Sequence, residues 1–329
     1  MTADDKHIPV LPEETLNLLM SPFDGKFCRI VDGTVGFGGH SSRILERNPD
    51  ALLLGIDWDR IALNASAERL RFAGDRVTLR HGRFSDIRSH VQSAGWDKVD
   101  GILLDIGVSS VQLDTPERGF SYRYDGPLDM RMNPESGMTA ADLLNHLPEE
   151  DLMRIFRDYG EIRQARQLAR EVVRLRAQEP FDTCGKFAAV CDRVLKQRGG
   201  GGPPAPTLPF QALRIAVNEE LKELEEALSA AVELLAVGGR LCVITFHSLE
   251  DRIVKHFFQD MAETCKCPPG CPVCVCDWEA KLQIVTKKPV TATEEELARN
   301  SRSSCAKLRA AEKLDGNQTA ALYKGEKAR

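Results

Sequence analysis

Two stretches combine chemically useful residue types with a spacing that can hold a ligand. In residues 30–40, IVDGTVGFGGH, an apolar run closes on Asp32 and is followed by Gly33, Gly36, Gly38 and Gly39. A helical pattern begins at Ser41. Strand, tight turn and helix start let backbone N–H groups approach a bound molecule. Glycine is needed where a Cβ would block that approach or forbid a positive φ. The dinucleotide fingerprint G-x-G-x-x-G, started at Gly36, requires glycine at position 41, where Ser41 stands. Asp32 with the offset glycines suits a loop holding a nucleoside and an amino-acid tail, as in S-adenosylmethionine (SAM). A purely structural turn is the plainer alternative. The second stretch, residues 51–57, ALLLGID, follows about 20 residues later and ends in Asp57. An acid at that strand tip can accept two ribose hydroxyls; alternatively it caps the helix expected over 58–70.

Further candidates lie at later strand ends. Phe84, in HGRFSD at 81–86, offers a flat face for adenine or fills core beneath a loop. Asp105 ends the apolar run of DGILLDIGVSS at 100–110. Residues 112–134 have little regular period and carry Phe120, Tyr122 and Tyr124, a long loop of the functional kind.

The elements that must position these residues alternate. Strands are expected at 27–31, 52–56, 77–79, 102–106, 240–246, 281–285 and 304–309, with helices between the early ones. That pattern predicts a parallel sheet covered by helices on both faces, with the ligand off the strands' C-terminal ends. Residues 139–196 read as helices, locally basic, with Arg163, Arg166 and Arg170 spaced to share one face. Such a face contacts phosphates or is simply solvated and ion-paired. The run RGGGGPPAPTLP at 198–209 breaks the helical block, and one helix is expected from 210 to 235, ended by Gly238 and Gly239. The expected organisation is a discontinuous domain of 1–115 and 210–329 around an insert of 116–209.

The chain has 329 residues, 28% of them charged, and a net charge of −5, which argues against a surface built wholly for polyanions without excluding a local basic patch. No apolar run approaches the length of a membrane span, and the polar, acidic start MTADDKHIPV reads as neither secretory signal nor transit peptide. A cytoplasmic location is the expectation. In that compartment the ten cysteines read as thiols or metal ligands.

Taken together, DGTVGFGGHS at 32–41, DGILLDIGVSSVQLD at 100–114, ERGFSYRYDGPLDMRM at 117–132, FQALRIAVNEEL at 210–221 and GGRLCVITFHSLEDRIVKHF at 238–257 resemble the ribosomal RNA small subunit methyltransferase H (MraW) family. The resemblance runs in order over nearly the whole chain. It implies an α/β, Rossmann-like SAM-dependent methyltransferase sheet of about seven strands with an inserted all-helical domain that binds RNA. It implies SAM as cofactor and, as substrate, the 4-amino group of one cytidine in the decoding region of 16S rRNA. The family's SAM contacts fall on Gly38, Gly39, His40, Asp57, Phe84, Asp105 and Gln112. Asp105 is also the candidate acceptor for the reacting amine. Phe120, Tyr122 and Tyr124 are candidates to stack on the target base, each with core packing as the alternative, and His247 and Ser248 could wall the opposite side.

Two features depart from the family. Relatives carry His-Pro-Ala-Thr-Arg before the Phe-Gln-Ala motif, whereas Leu208 stands here at the position of the arginine. Cys265, Cys267, Cys271, Cys274 and Cys276 have spacing that can wrap zinc, although the family's chemistry needs no metal and free thiols are the alternative. Two other classes compete: a nicotinamide oxidoreductase, disfavoured by Ser41, and a non-catalytic zinc module, which leaves the glycine turn and Asp57 unexplained.

Overall fold

The computed structural model describes residues 9–195, 203–267, 275–276 and 278–315. The chain divides into two compact units, residues 1–107 with 223–329, and residues 108–222.

The first unit is built on a seven-stranded sheet. Its strands are β1 (Cys28–Asp32), β2 (Ala51–Asp57), β3 (Val77–His81), β4 (Val99–Asp105), β5 (Leu235–Thr245), β6 (Leu282–Ile284) and β7 (Lys307–Lys313), in spatial order β3-β2-β1-β4-β5-β7-β6. The first five are mutually parallel, whereas β7 runs antiparallel to both β5 and β6. The expected wholly parallel sheet is therefore a mixed one. Between the antiparallel neighbours β6 and β7 the chain passes through a short helix, α13 (Glu294–Arg299).

Both faces of the sheet are buried, as its continuous apolar strands require. Val31, Leu54, Leu104 and Val243 face one core with helices α4 (Ile87–Ser93), α11 (Glu220–Leu234) and α12 (Ser248–Ala262). Their neighbours Ile30, Leu53, Leu103 and Cys242 face the other with α1 (Pro12–Met20) and α2 (Gly39–Arg47). The two-residue period of a strand produces that division. The order reverses between β1 and β4, since the chain leaves β1 toward β2 and β3 and returns on its other side. A crevice at such a reversal is where open α/β sheets bind ligands.

The second unit is helical: α5 (Ser110–Asp114), α6 (Ala140–His146), α7 (Glu149–Asp158), α8 (Ala165–Arg176), α9 (Cys184–Val194) and α10 (Thr207–Asn218). Its core reaches beyond the expected 116–209, because Val108, Leu113, Phe210 and Leu213 pack with Leu144, Phe156 and Phe187. The expected single helix over 210–235 is two. Glu219 adopts a left-handed φ of 53° between α10 and α11, and β5 has already begun at Leu235. Buried Asn218 donates to the Met130 carbonyl and accepts the Met132 N–H, fixing the loop beside the break. Prolines do not bar α10 from starting at Thr207, because Pro209 lies in the first turn, where the missing N–H costs nothing.

Candidate active site

The loop after β1 is drawn over the ends of its neighbours. Gly33 donates to the Leu103 carbonyl at 2.9 Å, and Val35 to the Ile56 carbonyl at 2.9 Å. A Cβ at position 33 would stand 2.6 Å from Leu104 Cδ2, so this approach demands glycine. Gly38, with φ of +76°, starts α2. Thr34 Oγ1 accepts the Asp105 N–H at 2.7 Å, tying the loop to the end of β4.

Three carboxylates meet this loop. Asp32 is 1% exposed and accepts the Ser41 hydroxyl at 2.6 Å and the Thr34 N–H at 3.3 Å. Burial pushes its carboxyl up to about 6 against those bonds, and the charge of Asp105 adds to the rise. Asp57 accepts the N–H groups of Gly36 and Asp59, each at 2.8 Å. Burial also pushes it up to about 6, with Asp59 and Asp32 adding to the rise. The cap of α3 (Arg60–Arg69) is Asp59, which accepts the Ile61 N–H at 2.9 Å. Asp57 is thus an anchor of the glycine loop, and the capping alternative is overturned.

Asp105 Oδ2 lies 3.5 Å from Nε2 of buried His40, in the first turn of α2. His40 Nε2 and Asp105 Oδ1 are both buried, and neither has a hydrogen-bond partner among the described residues. Unpaired buried polar atoms are costly and cluster where a ligand completes the bonding. The charge of Asp105 raises the proton affinity of Asp32, and that of Asp32 the proton affinity of Asp57, a repulsion that a cationic guest would offset. Gly39 packs on Pro9, which lies within 3.3 Å of where a Cβ would be. Half-buried Phe84 borders Gly33 and also packs on the core.

At the end of β5, Phe246 stands 3.2 Å from the site of a Cβ on Gly107, whose φ is +130°. His247 caps α12: its Nδ1 accepts the Glu250 N–H at 3.4 Å, and its Nε2 lies 3.1 Å from Glu250 Oε1. Glu250, fully buried, accepts the Phe246 N–H at 2.8 Å. Ser248 is exposed beside it.

The sequence model of the MraW methylase family matches residues 4–314. The chain belongs to the MraW methylase family. It is 52% identical over 312 residues to the ribosomal RNA small subunit methyltransferase H of Heliobacterium modesticaldum, covering 94% of this chain and 98% of that protein. It is 48% identical over 308 residues to the protein of that name from Carboxydothermus hydrogenoformans, covering 94% and 98%. A solved rRNA methylase from Streptococcus thermophilus aligns over 92% of this chain and 93% of its own, with 10% identity and a TM-score of 0.39.

In this MraW methylase the helical unit treats its candidates unequally. Gln112 is buried in a capping box with Ser109, its Oε1 accepting the Ser109 N–H at 3.0 Å. Phe120 is 6% exposed within the helical core, so its ring is not free to stack on a base. Tyr122 is half-buried, hydrogen-bonded to Thr207 Oγ1 at 3.0 Å and edge-on to Phe210. Tyr124, 43% exposed, is the ring of the three left open. Arg163 sits in the turn before α8, so the expected three-residue helical face reduces to Arg166 and Arg170. All three are exposed, and Arg170 lies 3.8 Å from Glu149. Arg154, Arg157 and Arg174 are ion-paired to acids one to three residues away. Leu208 is 37% exposed on α10. Of the cysteine segment, Cys271 and Cys274 lie outside the described residues.

Pattern reading missed Thr34, Ser41 and Glu250. Thr34 and Ser41 were inside the glycine motif but carried no periodic signal. Ser41 stood out as a helix start and a missing glycine, not as a partner of Asp32. Glu250 looked like an ordinary helix-start acid.

Proposed function

We propose that this protein transfers the methyl group of SAM to the exocyclic 4-amino group of one cytidine in the decoding region of 16S rRNA, in the cytoplasm and on the small ribosomal subunit. The observation that carries the reading is the pair of unpartnered buried atoms, His40 Nε2 and Asp105 Oδ1, beside the glycine loop of an MraW methylase. The name shared by the curated relatives supports the RNA substrate.

The donor set fits SAM. Clustered carboxylates that repel one another favour a cationic guest, and a glycine loop drawn onto the strand ends leaves room for a backbone-to-ligand approach. When bound, SAM supplies an electrophilic methyl carbon on a positively charged sulfur. Gly38, Gly39 and His40 would hold the amino-acid end, Asp57 the ribose hydroxyls and Phe84 the adenine. The role of Gln112 rests on the family resemblance alone.

Asp105 then has two tasks. Its fixed N–H bond to Thr34 keeps the carboxylate at the end of β4. Its free Oδ1 accepts an N–H of the cytosine amine. A ring-delocalised lone pair makes that amine a poor nucleophile, so an acceptor that localises the pair and takes up positive charge lowers the barrier. The remaining work is alignment, with the nitrogen about 3 Å from the carbon it attacks. The base must leave its stack to reach such a position. On the helical unit, exposed Tyr124 is a ring on which an RNA base can stack. Arg163 and Arg166 contact phosphates.

The test supplies purified protein with methyl-labelled SAM and small ribosomal subunits lacking the modification. Label should appear on one cytidine, as 4-methylamino nucleoside by mass spectrometry. Label on protein only, or on no RNA, rejects the reading.

A further inference from the structure

We propose that Cys265, Cys267 and Cys276 form a structural zinc site in the excursion between α12 and β6. Their sulfur atoms lie within 4.8 Å of one another. The Cys265 and Cys276 Sγ atoms are 3.7 Å apart. Thiolates about 2.3 Å from a tetrahedral zinc stand about 3.8 Å from each other, whereas a disulfide requires about 2 Å.

The backbone around the cluster is arranged as a thiolate environment. Cys267 N–H points at Cys265 Sγ at 3.4 Å, Lys266 N–H at Cys276 Sγ at 3.3 Å, and Val275 N–H at Cys267 Sγ at 3.3 Å. Amide donors directed at sulfur stabilise the charged form that a metal needs. The core cysteines are buried instead. Burial pushes Cys28 and Cys242 up to about 12 and Cys184 up to about 11, as inert thiols.

The stem of the excursion is already closed. Lys281 donates to the Met261 carbonyl at 2.8 Å, and Trp278 Nε1 to the Glu263 carbonyl at 2.9 Å. Beside the cluster, Val275 is 77% exposed. A metal would supply the cross-link that a hydrophobic core supplies elsewhere. Binding exchanges thiol protons for Zn²⁺. The three thiolates leave one tetrahedral position for a further ligand.

Full-length protein, purified under reducing conditions and desalted, should hold one zinc per chain by elemental analysis. X-ray absorption at the zinc edge should show at least three sulfur neighbours. Co²⁺ exchanged into the site should give the intense near-ultraviolet band of thiolate-to-cobalt charge transfer. C265S, C267S and C276S should each lower zinc content several-fold, while C305S, at an exposed cysteine elsewhere, should leave it unchanged. Substoichiometric zinc after incubation with Zn²⁺, a zinc shell of nitrogen and oxygen alone, or an intact mass showing a Cys265–Cys276 disulfide in the reduced preparation each overturns the proposal. The absorption measurement needs no variant, so misfolding of a serine variant does not rescue the idea.

Discussion

The strand-end loop of the α/β unit and the basic surface of the helical unit are both rich in charge, but they use it differently. Around β1 and β4 the charges are buried and held by backbone donors, and two polar atoms have no partner among the described residues. On the helices, arginines are exposed and mostly answered by nearby acids. Keeping an unpaired buried polar atom costs about 1–3 kcal/mol, whereas an exposed ion pair is worth under about 1 kcal/mol. A ligand that bonds those two atoms offsets that cost. The second is tolerated on any exposed helix face, and a binding measurement tests it for RNA contact.

The sharpest challenge to this contrast comes from the aromatics. Phe120→Ala should destabilise the protein by about 3–5 kcal/mol in urea unfolding, as a core truncation does, whereas Tyr124→Ala should change stability by less than about 0.5 kcal/mol and act on RNA methylation instead. If Phe120→Ala is stable and fails only on RNA, the division between packing ring and open ring is wrong.

Next in size is Asp105→Ala. Loss of a pre-positioned acceptor should slow methyl transfer by about 10²–10³-fold. SAM affinity by isothermal titration should fall far less. Undiminished turnover would remove the acceptor role from Asp105.

Asp32 gives a smaller effect with a defined sign. Its carboxyl titrates near 6 in the fold against 3.8 ordinarily, so the folded state binds more protons than the unfolded state between those values. Its contribution to stability is therefore present below about pH 4 and lost as pH rises through 6, a change of at most about 3 kcal/mol. Asp32→Asn should flatten that part of the stability–pH curve without ligand, measured by urea midpoints. An unaltered slope would mean the aspartate is not strained by burial.

The smallest effect on stability should come from the exposed cations. Arg163→Ala with Arg166→Ala should shift the urea midpoint negligibly yet reduce the salt slope of RNA binding by about 2. Arg174→Ala, already paired with Glu171, should move that slope less. Equal slopes for all three proteins would return the basic surface to ordinary solvation.

Much of the fold was legible because the strands announce themselves. Runs such as ALLLGID and GILLD are apolar on both faces, and all seven strands occur near their expected positions. The antiparallel tail was not legible, since parallel and antiparallel strands share one side-chain period. The break at Glu219 was hidden for a related reason. Apolar spacing continues across it, while the bonds of Asn218 to a loop more than eighty residues earlier and the Arg214–Glu220 ion pair across the break hold the chain there.

Within the candidate site, the glycines and Asp57 stood out by residue type. Their roles did not, because a cap at Asp57 stood as the alternative until Asp59 proved to be the one bonded to Ile61. The amino-acid order alone settled which residues could do chemistry, together with the alternation of strand and helix that carries them. Only the folded chain decided which of them are buried, paired or left with an open valence. Burial and pairing are set by contacts between segments distant in sequence, and local pattern does not encode those.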